Sequence, residues 1–537
     1  MVEGRVLLVG IYDTNTVALA PQILRAFAEA APIGERWEIR TLDLSIFSQS
    51  VDEMERLIRA EDAAVVGFST YIWNHGLVRE LARRLPSTII LGGPMFNALA
   101  PTFFDENPGV DVVVTGEGEE TFVELLEAFG GERSLETVAG ISTPRFTAPP
   151  RGVIADLCRV PSPYARVFRE HPNLEWIAYE TSRGCPFLCG FCTWGYSKKM
   201  RYHPLDRVLS DLGAILAEPS IDRIYLCDSS ILLDKPRATA ILRHVIAHER
   251  DVTIRYEFNA EHLDDEIIDL LLQLPDNELN FGVQAVGRPA LKTMRRPFKP
   301  KKFEASYDAL VRRPERVQVT MDVIYGLPGD DLAGYEASLD YVMSFDHVSW
   351  ILTNPLILLP GSDFHRDRER HGIVVRDEES LIVESTRTFP KAQMKEAIQL
   401  SFWVSIVYMN ARLRDAVRDW ARSQGQGYVE VIRRFFEALP LTFVDGDDYP
   451  YLVPSVAEDF RKRNLAIHRV VEAYPELIAA WDAHTALAHH EVLADYADHF
   501  GPQFRRLSRF AREEVSRVSA ESRSPGTGAY AQAPTSS

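Results

Sequence analysis

The residues most able to do chemistry in this chain are three cysteines. Cys185, Cys189 and Cys192 stand in C-x3-C-x2-C spacing inside the string ETSRGCPFLCGFCTWG, which runs from Glu180 to Gly195. A structural zinc ion usually takes four nitrogen or sulfur ligands in paired short spacings, and no fourth Cys or His follows nearby. Three thiolates wrapping one loop suit a 4Fe–4S cluster whose fourth iron is left open for a ligand. Gly184 and Gly190 would let the backbone curl tightly around it. A zinc site and a triad that ligates nothing are the alternatives. Cys158 and Cys227 lie outside the spacing; Cys158 reads as inert and Cys227 as a residue packed in a strand.

Such a loop must be carried by a frame large enough to bury it. The chain has 537 residues, 46% hydrophobic and 25% charged, which is ordinary globular composition with room for about three domains. Its net charge of -18 gives no basic footprint for a phosphate backbone, so a nucleic-acid partner is not expected. Five cysteines are too few for a disulfide framework. No apolar run reaches the ~18 residues of a membrane span, and the N-terminal run is too short for a signal peptide. The expectation is a cytoplasmic enzyme without a membrane partner.

Periodicity then divides the chain. Residues 1–135 alternate apolar strands (5–11, 38–42, 64–69, 88–91, 110–115) with helical patterns (18–30, 51–60, 77–85), which predicts a doubly wound, Rossmann-like parallel sheet. Ligands in such sheets sit at the carboxyl ends of the strands, here 12–15, 69–74, 92–94 and 116–119. No G-x-G-x-x-G follows the first strand, which disfavours a dinucleotide. Residues 136–175 read as a linker. Strands at 176–181, 223–227, 253–258, 279–284, 318–324 and 350–356, with helices between, predict a partial (β/α)6 barrel over 176–376, its chemistry at the C-terminal strand ends. A helical domain over 377–520 and a disordered tail over 521–537 complete the reading.

Several weaker signals have ordinary explanations. The basic run 292–302 (KTMRRPFKPKK) reads as a solvated helix and loop, with a phosphate site as the alternative. His489-His490-Glu491 lacks the second histidine of H-E-x-x-H, because Ala494 stands there. Phe402, Trp403 and Tyr408 read as helical core rather than a substrate wall.

The cysteine string, preceded by Pro161-Ser-Pro-Tyr164 and placed after the first strand of a (β/α) block, resembles the radical S-adenosylmethionine (SAM) superfamily, in the branch with an N-terminal cobalamin-binding domain. The resemblance covers about 1–375. It implies an open iron that chelates SAM, and reductive cleavage of SAM to methionine and a 5′-deoxyadenosyl radical. It also implies SAM contacts at Phe191, Trp194, Asp228, Glu257 and Gln284. Asp322-Val-Ile-Tyr-Gly-Leu-Pro-Gly329 and the LILLPG segment at 356–361 are similar to the family's fifth and sixth strands. Ser69-Thr-Tyr-Ile-Trp-Asn74, Leu91-Gly-Gly-Pro94 and Gly116-Glu-Gly-Glu119 look like the family's cobalamin domain. They imply cobalamin contacts at Thr14, Ser69, Thr70, Tyr71, Gly92, Gly93, Gly116 and Glu117. His75 does not stand in D-x-H-x-x-G, so no histidine is expected on the lower face of the cobalt.

The implied cofactors are a 4Fe–4S cluster, SAM and cobalamin. The implied activity is methylation of an unactivated carbon in a small molecule or peptide natural product. Rearrangement, ring contraction or cyclisation without methyl transfer is the alternative. A flavodoxin- or ferredoxin-type electron donor is the implied partner. No catalytic acid or base is assigned.

Overall fold

The computed structural model describes residues 3–437 apart from 13, 14, 47, 195, 196, 275 and 410. The expectations for Thr14, for 438–520, for His489-His490-Glu491 and for the tail lie outside the described residues. The chain separates into two compact units, 1–401 and 402–537.

The first unit opens with a six-stranded sheet. Its strands are β1 (Gly4–Tyr12), β2 (Trp37–Ser45), β3 (Val65–Ser69), β4 (Thr88–Gly92), β5 (Val112–Val114) and β6 (Ile141–Ser142), in spatial order 2-1-3-4-5-6. The first five run parallel and β6 returns antiparallel on β5. Alternate residues of one strand feed opposite cores. Leu7, Val9 and Ile11 pack with Met54, Ile58, Val78 and Leu81 of helices α2 (Val51–Ala60) and α3 (His75–Arg84). Val6 and Leu8 pack with Phe122, Leu125 and Leu126 of α4 (Glu119–Phe129), on the face that also carries Ala28 of α1 (Leu19–Glu29). A strand covered on both sides must be apolar throughout, which is why 5–11 reads as a continuous hydrophobic run. The sheet is doubly wound, as expected.

A second sheet of six parallel strands follows. It comprises β7 (Trp176–Tyr179), β8 (Arg223–Leu226), β9 (Thr253–Phe258), β10 (Asp276–Gln284), β11 (Gln318–Tyr325) and β12 (Val348–Pro355), lined up in sequence order with β7 and β12 at the two edges. Each crossover carries helix, as a parallel sheet demands. Leu205–Ala217, Lys235–Ala247, Asp265–Leu271, Pro300–Leu310 and Leu332–Met343 are the helices. Ile224, Ile254, Leu279, Val319 and Ile351 lie buried on one face. The alternate positions are polar: Tyr225, Arg255, Glu257, Asn280 and Asp322 share the other face. This is an open (β/α)6 arrangement, the partial barrel that the spacing predicts.

The segment 136–175 contributes β6 and a helix, Tyr164–Glu170, whose buried Tyr164 donates to Ala178 O at 2.8 Å. In the second unit the described residues are helical, with Ala411–Gln424 and Tyr428–Glu437, and Trp403 and Tyr408 are buried. Among the described residues no helix is long and apolar enough to cross a membrane.

Asn74 fixes the loop between β3 and α3. Its amide donates to Ile11 O and Ser69 O, both at 3.0 Å, and its carbonyl accepts from Tyr71 N at 2.7 Å, with the residue 1% exposed. Asn74→Ala leaves three backbone groups unsatisfied, so a loss of about 3 kcal/mol is expected. A lower denaturant midpoint of the apo-protein, followed by tryptophan fluorescence, checks it.

Candidate cofactor site

The cysteine loop leaves the C-terminal end of β7 through a two-residue antiparallel ribbon, in which Ser182 pairs with Tyr202 and Arg183 with Arg201. Cys185 N donates to Ser197 O at 3.0 Å and Cys192 N to Cys189 O at 3.0 Å, so the backbone is folded back on itself. Gly184 has φ +96°, and a Cβ there would lie 2.6 Å from Lys199 O and 2.9 Å from Ser197 O. Only glycine permits that turn. Gly190 N donates to Met294 O at 2.8 Å, and Phe364 N to Gly190 O at 2.9 Å. These bonds tie the loop to segments about 100 and 170 residues further along the chain.

Burial raises the Cys185 thiol and pushes Cys192 up to about 11, and the neighbouring cysteines push the same way. Burial thus favours the neutral thiol at Cys185 and Cys192, and a bound cation is what would hold them as thiolates. Among the described residues no three Cys, His, Asp or Glu side chains converge on a cage for one ion. A cluster in which three irons each take one thiolate requires a wider arrangement than such a cage. Donor chemistry, burial and the glycine cradle fit the cluster.

Around this loop the strand ends present acceptors. Gln284, at the end of β10, is 8% exposed with φ +66°, and its Oε1 has no partner. A non-glycine residue held in that region is strained. Its side chain folds over Gly282, where a Cβ would come within 2.4 Å of Gln284 Nε2. Glu257 accepts from Asn280 Nδ2 at 3.2 and 3.0 Å, and Asn280 also donates to Asp322 Oδ2 at 3.0 Å. Asn280 Oδ1 and Asp322 Oδ1 are buried without partners. Such orphaned acceptors suit the hydroxyl and amino donors of SAM or of a substrate.

The other expected SAM contacts are placed differently. Asp228 is 1% exposed, and its carboxylate accepts from Thr181 N at 3.1 Å, Thr181 Oγ1 at 2.8 Å and Ser182 Oγ. It anchors the entry to the cysteine loop. Phe191 is half-buried on the loop, whereas Trp194 is 42% exposed and contributes its backbone N–H to Cys192 Sγ at 3.4 Å.

At the carboxyl end of the first sheet, Thr70 N donates to Gly92 O at 2.7 Å. Gly93, at φ +123°, would put a Cβ 2.3 Å from Thr70 O, so the β3 and β4 loops touch only because it is glycine. Thr70 Oγ1 and Trp73 Nε1 are buried without partners. Those donors and the open space beside Gly116, where a Cβ would meet nothing within 4 Å, suit a bulky amide-bearing ligand. Burial raises the Tyr71 hydroxyl, and a bond with Ser69 partly offsets it. The Tyr71 ring stacks on Trp73 at 4.4 Å, Trp73 meets Tyr12 at 5.5 Å, and Tyr12 meets Trp176 of β7 at 5.6 Å. The strand-end loop of one sheet thus meets the first strands of the other. His75 sits at the start of α3 with Nε2 bonded to Glu379 O, so it is already held by the backbone.

Residues 13–126 match the B12 binding domain model and residues 179–342 the Radical SAM superfamily model, together just over half of the chain. The chain belongs to the cobalamin-binding radical SAM enzymes. A methyltransferase of Pyrococcus horikoshii, described as uncharacterized, is 22% identical over 61% of this chain and 74% of its own. The cobalamin-dependent radical SAM methyltransferase TokK of Streptomyces tokunonensis is 24% identical over 69% and 58%. The radical SAM methyltransferase TsrM of Kitasatospora setae, solved with cobalamin and a [4Fe-4S] cluster, has a TM-score of 0.60 at 15% identity, covering 82% of this chain and 100% of that one. That likeness concerns the fold.

Two site residues of this radical SAM chain were not legible as such. Arg296 lies in the basic run read as solvated. Its guanidinium donates to Gly282 O at 2.6 Å and reaches Cys189 Sγ at 3.5 Å. Its neighbour Met294 holds Gly190. The other basic residues of the run, Lys292, Arg295, Lys299, Lys301 and Lys302, are exposed. A cation beside a ligating sulfur favours the reduced, more negative cluster. Arg296→Gln is expected to retain iron and to lower the cluster potential by on the order of tens of millivolts, read by potentiometric titration.

Asp322 is the second. Burial, then the neighbouring Glu257, pushes its carboxyl up to about 7. A raised acid stabilises the fold fully below its unfolded value near 4, and that contribution is lost as pH rises through 7. Asp322→Asn removes this loss. The variant's stability relative to the parent should therefore climb between about pH 4 and 8, by up to ~4 kcal/mol. Parallel denaturation profiles across that range would contradict the assignment.

Proposed function

We propose that this chain is a C-methyltransferase acting on an unactivated carbon of a small molecule or peptide natural product. The observation that carries the reading is the meeting of two ligand sites in one compact unit: the cysteine loop of the barrel and the Ser69–Asn74 loop, whose Trp73 packs through Tyr12 onto Trp176 of the strand that leads into the cysteine loop. When bound, the cofactors supply a methyl group and a reductively generated radical, SAM being the source of both. The protein's part is positioning and the exclusion of water.

Asp228 holds the loop entry, and Arg296 braces Cys189 against Gly282. Gln284, Asn280 and Asp322 offer acceptors to SAM and substrate. Thr70, Trp73 and the glycine-lined β3 and β4 loops receive the corrinoid tail. His75, held by Glu379 O, would not be free to ligate a bound cobalamin. In this reading 1–135 carries cobalamin, 136–175 links, 176–376 carries the cluster and 377–520 selects the substrate. The enzyme works in the cytoplasm with a flavodoxin- or ferredoxin-type donor. Methyl transfer is preferred to rearrangement because the sequence relative TokK is a cobalamin-dependent radical SAM methyltransferase.

Anaerobic reconstitution with iron, sulfide and cobalamin tests this. Dithionite-driven release of 5′-deoxyadenosine from SAM is expected from the parent chain and not from Cys189→Ala. A product heavier than its substrate by one CH2 establishes methylation, and an unchanged mass would defeat it.

A further inference from the structure

The Gly116-Glu-Gly-Glu119 turn has the sequence of a ligand loop, yet its carboxylates are directed elsewhere. Arg201 donates to Glu117 through Nη1 at 3.0 Å and Nη2 at 2.7 Å. Arg183 Nη2 lies 2.6 Å from Glu119 Oε1, and its Nη1 lies 3.7 Å from Glu117. The four side chains are between 4% and 7% exposed. The linker is stitched into the same knot: Ile154 N donates to Glu117 at 2.7 Å, and Arg201 donates to Ile154 O at 2.7 Å. On the barrel side Arg183 Nε donates to Glu180 at 2.7 Å, which also bonds His203 at 3.3 Å.

We infer that Glu117 and Glu119 are positioning residues that clamp the base of the cysteine loop to the cobalamin domain and so set the separation between cluster and cobalt. Arg183 is two residues from Cys185 and is paired by register with Arg201. Two adjacent guanidiniums removed from water need anions, and on the barrel side Glu180 is one of them. The cobalamin domain supplies the other two. Gly116, at φ +89°, makes the left-handed turn that sends Glu117 toward the ribbon. Glu119 opens the 11-residue helix α4, where a carboxylate is favoured by the helix dipole. The clamp is rigid because each of its charges has a fixed, buried partner.

The inference rests on the two-cofactor reading and can fail apart from it. If the parent chain takes up no iron or no cobalamin, the reading fails before any variant is made. With both loaded, Glu119→Gln is expected to keep its iron, its cobalamin and its 5′-deoxyadenosine yield within about two-fold, while S-adenosylhomocysteine formation drops about ten-fold or more. Electron paramagnetic resonance of the Co(II), cluster-reduced enzyme should show an altered spin–spin coupling between the two centres. Unaltered coupling would overturn the clamp, and so would loss of cobalamin alone from Glu117→Gln, which would make Glu117 a corrin contact. Should Glu119→Gln not fold, the exchanged pair Arg183→Glu with Glu119→Arg decides: recovered coupling supports the clamp, and absent recovery overturns it.

Discussion

Arg183 and Arg201 face each other across a two-residue ribbon and are almost wholly removed from water, so the ribbon can form only where anions are waiting. Burial pushes the Glu117 carboxyl up, but Arg201 and Arg183 more than offset it and hold it below its ordinary value. The rest of the site inherits its geometry from this condition. The ribbon is the root of the cysteine loop, and the glutamates stand at a strand end and a helix start of the other sheet. A charge requirement in the barrel is thereby met by the cobalamin domain. Two separate sheets of one compact unit are tied together at this point.

A second layer of constraint is steric. Gly184 admits the carbonyls of Ser197 and Lys199, Gly93 admits that of Thr70, and Gly282 admits the side chain of Gln284. In each case a methyl group would stand where an atom already is. These glycines therefore let the segments that frame the two sites pack closely on one another, while the charged clamp ties one site to the other.

Legibility in the sequence followed the range of the interaction. The strand runs 5–11 and 253–258 and the helices 51–60 and 205–217 are local patterns, and the structure reproduces them to within a residue or so. Helix α4 was not read, because 116–119 drew attention as a loop and the helix begins inside it. β6 is two residues long and exists only by pairing with β5, so no periodicity announces it. The cysteine spacing was legible because one loop contains it. Arg296 and the Arg201 partner of Glu117 were not, since they act on residues 107 and 84 positions away, where one sequence carries no pairing signal. Charge in a basic run looks the same whether it faces water or a sulfur.

The inner face of the barrel shows what such long-range choices are for. Arg223 meets Glu278 at 3.3 Å and Arg255 meets Glu257 at 3.5 Å, so much of the charge there is neutralised in place. Asp322 is left with a buried oxygen that has no partner among the described residues, as are Asn280 and Gln284. Packing alone would favour replacing these three with apolar residues, because a buried acceptor without a donor costs about 1–3 kcal/mol. They lie on two neighbouring strands, with Gln284 beside the Arg296 contact at Gly282 and Asp322 facing Gly282 in register. A molecule rich in hydrogen-bond donors restores the balance at that point, and a bare hydrocarbon would leave all three unmet. The interior is therefore built for a polar guest, held with its donors on β10 and β11 beneath the cysteine loop.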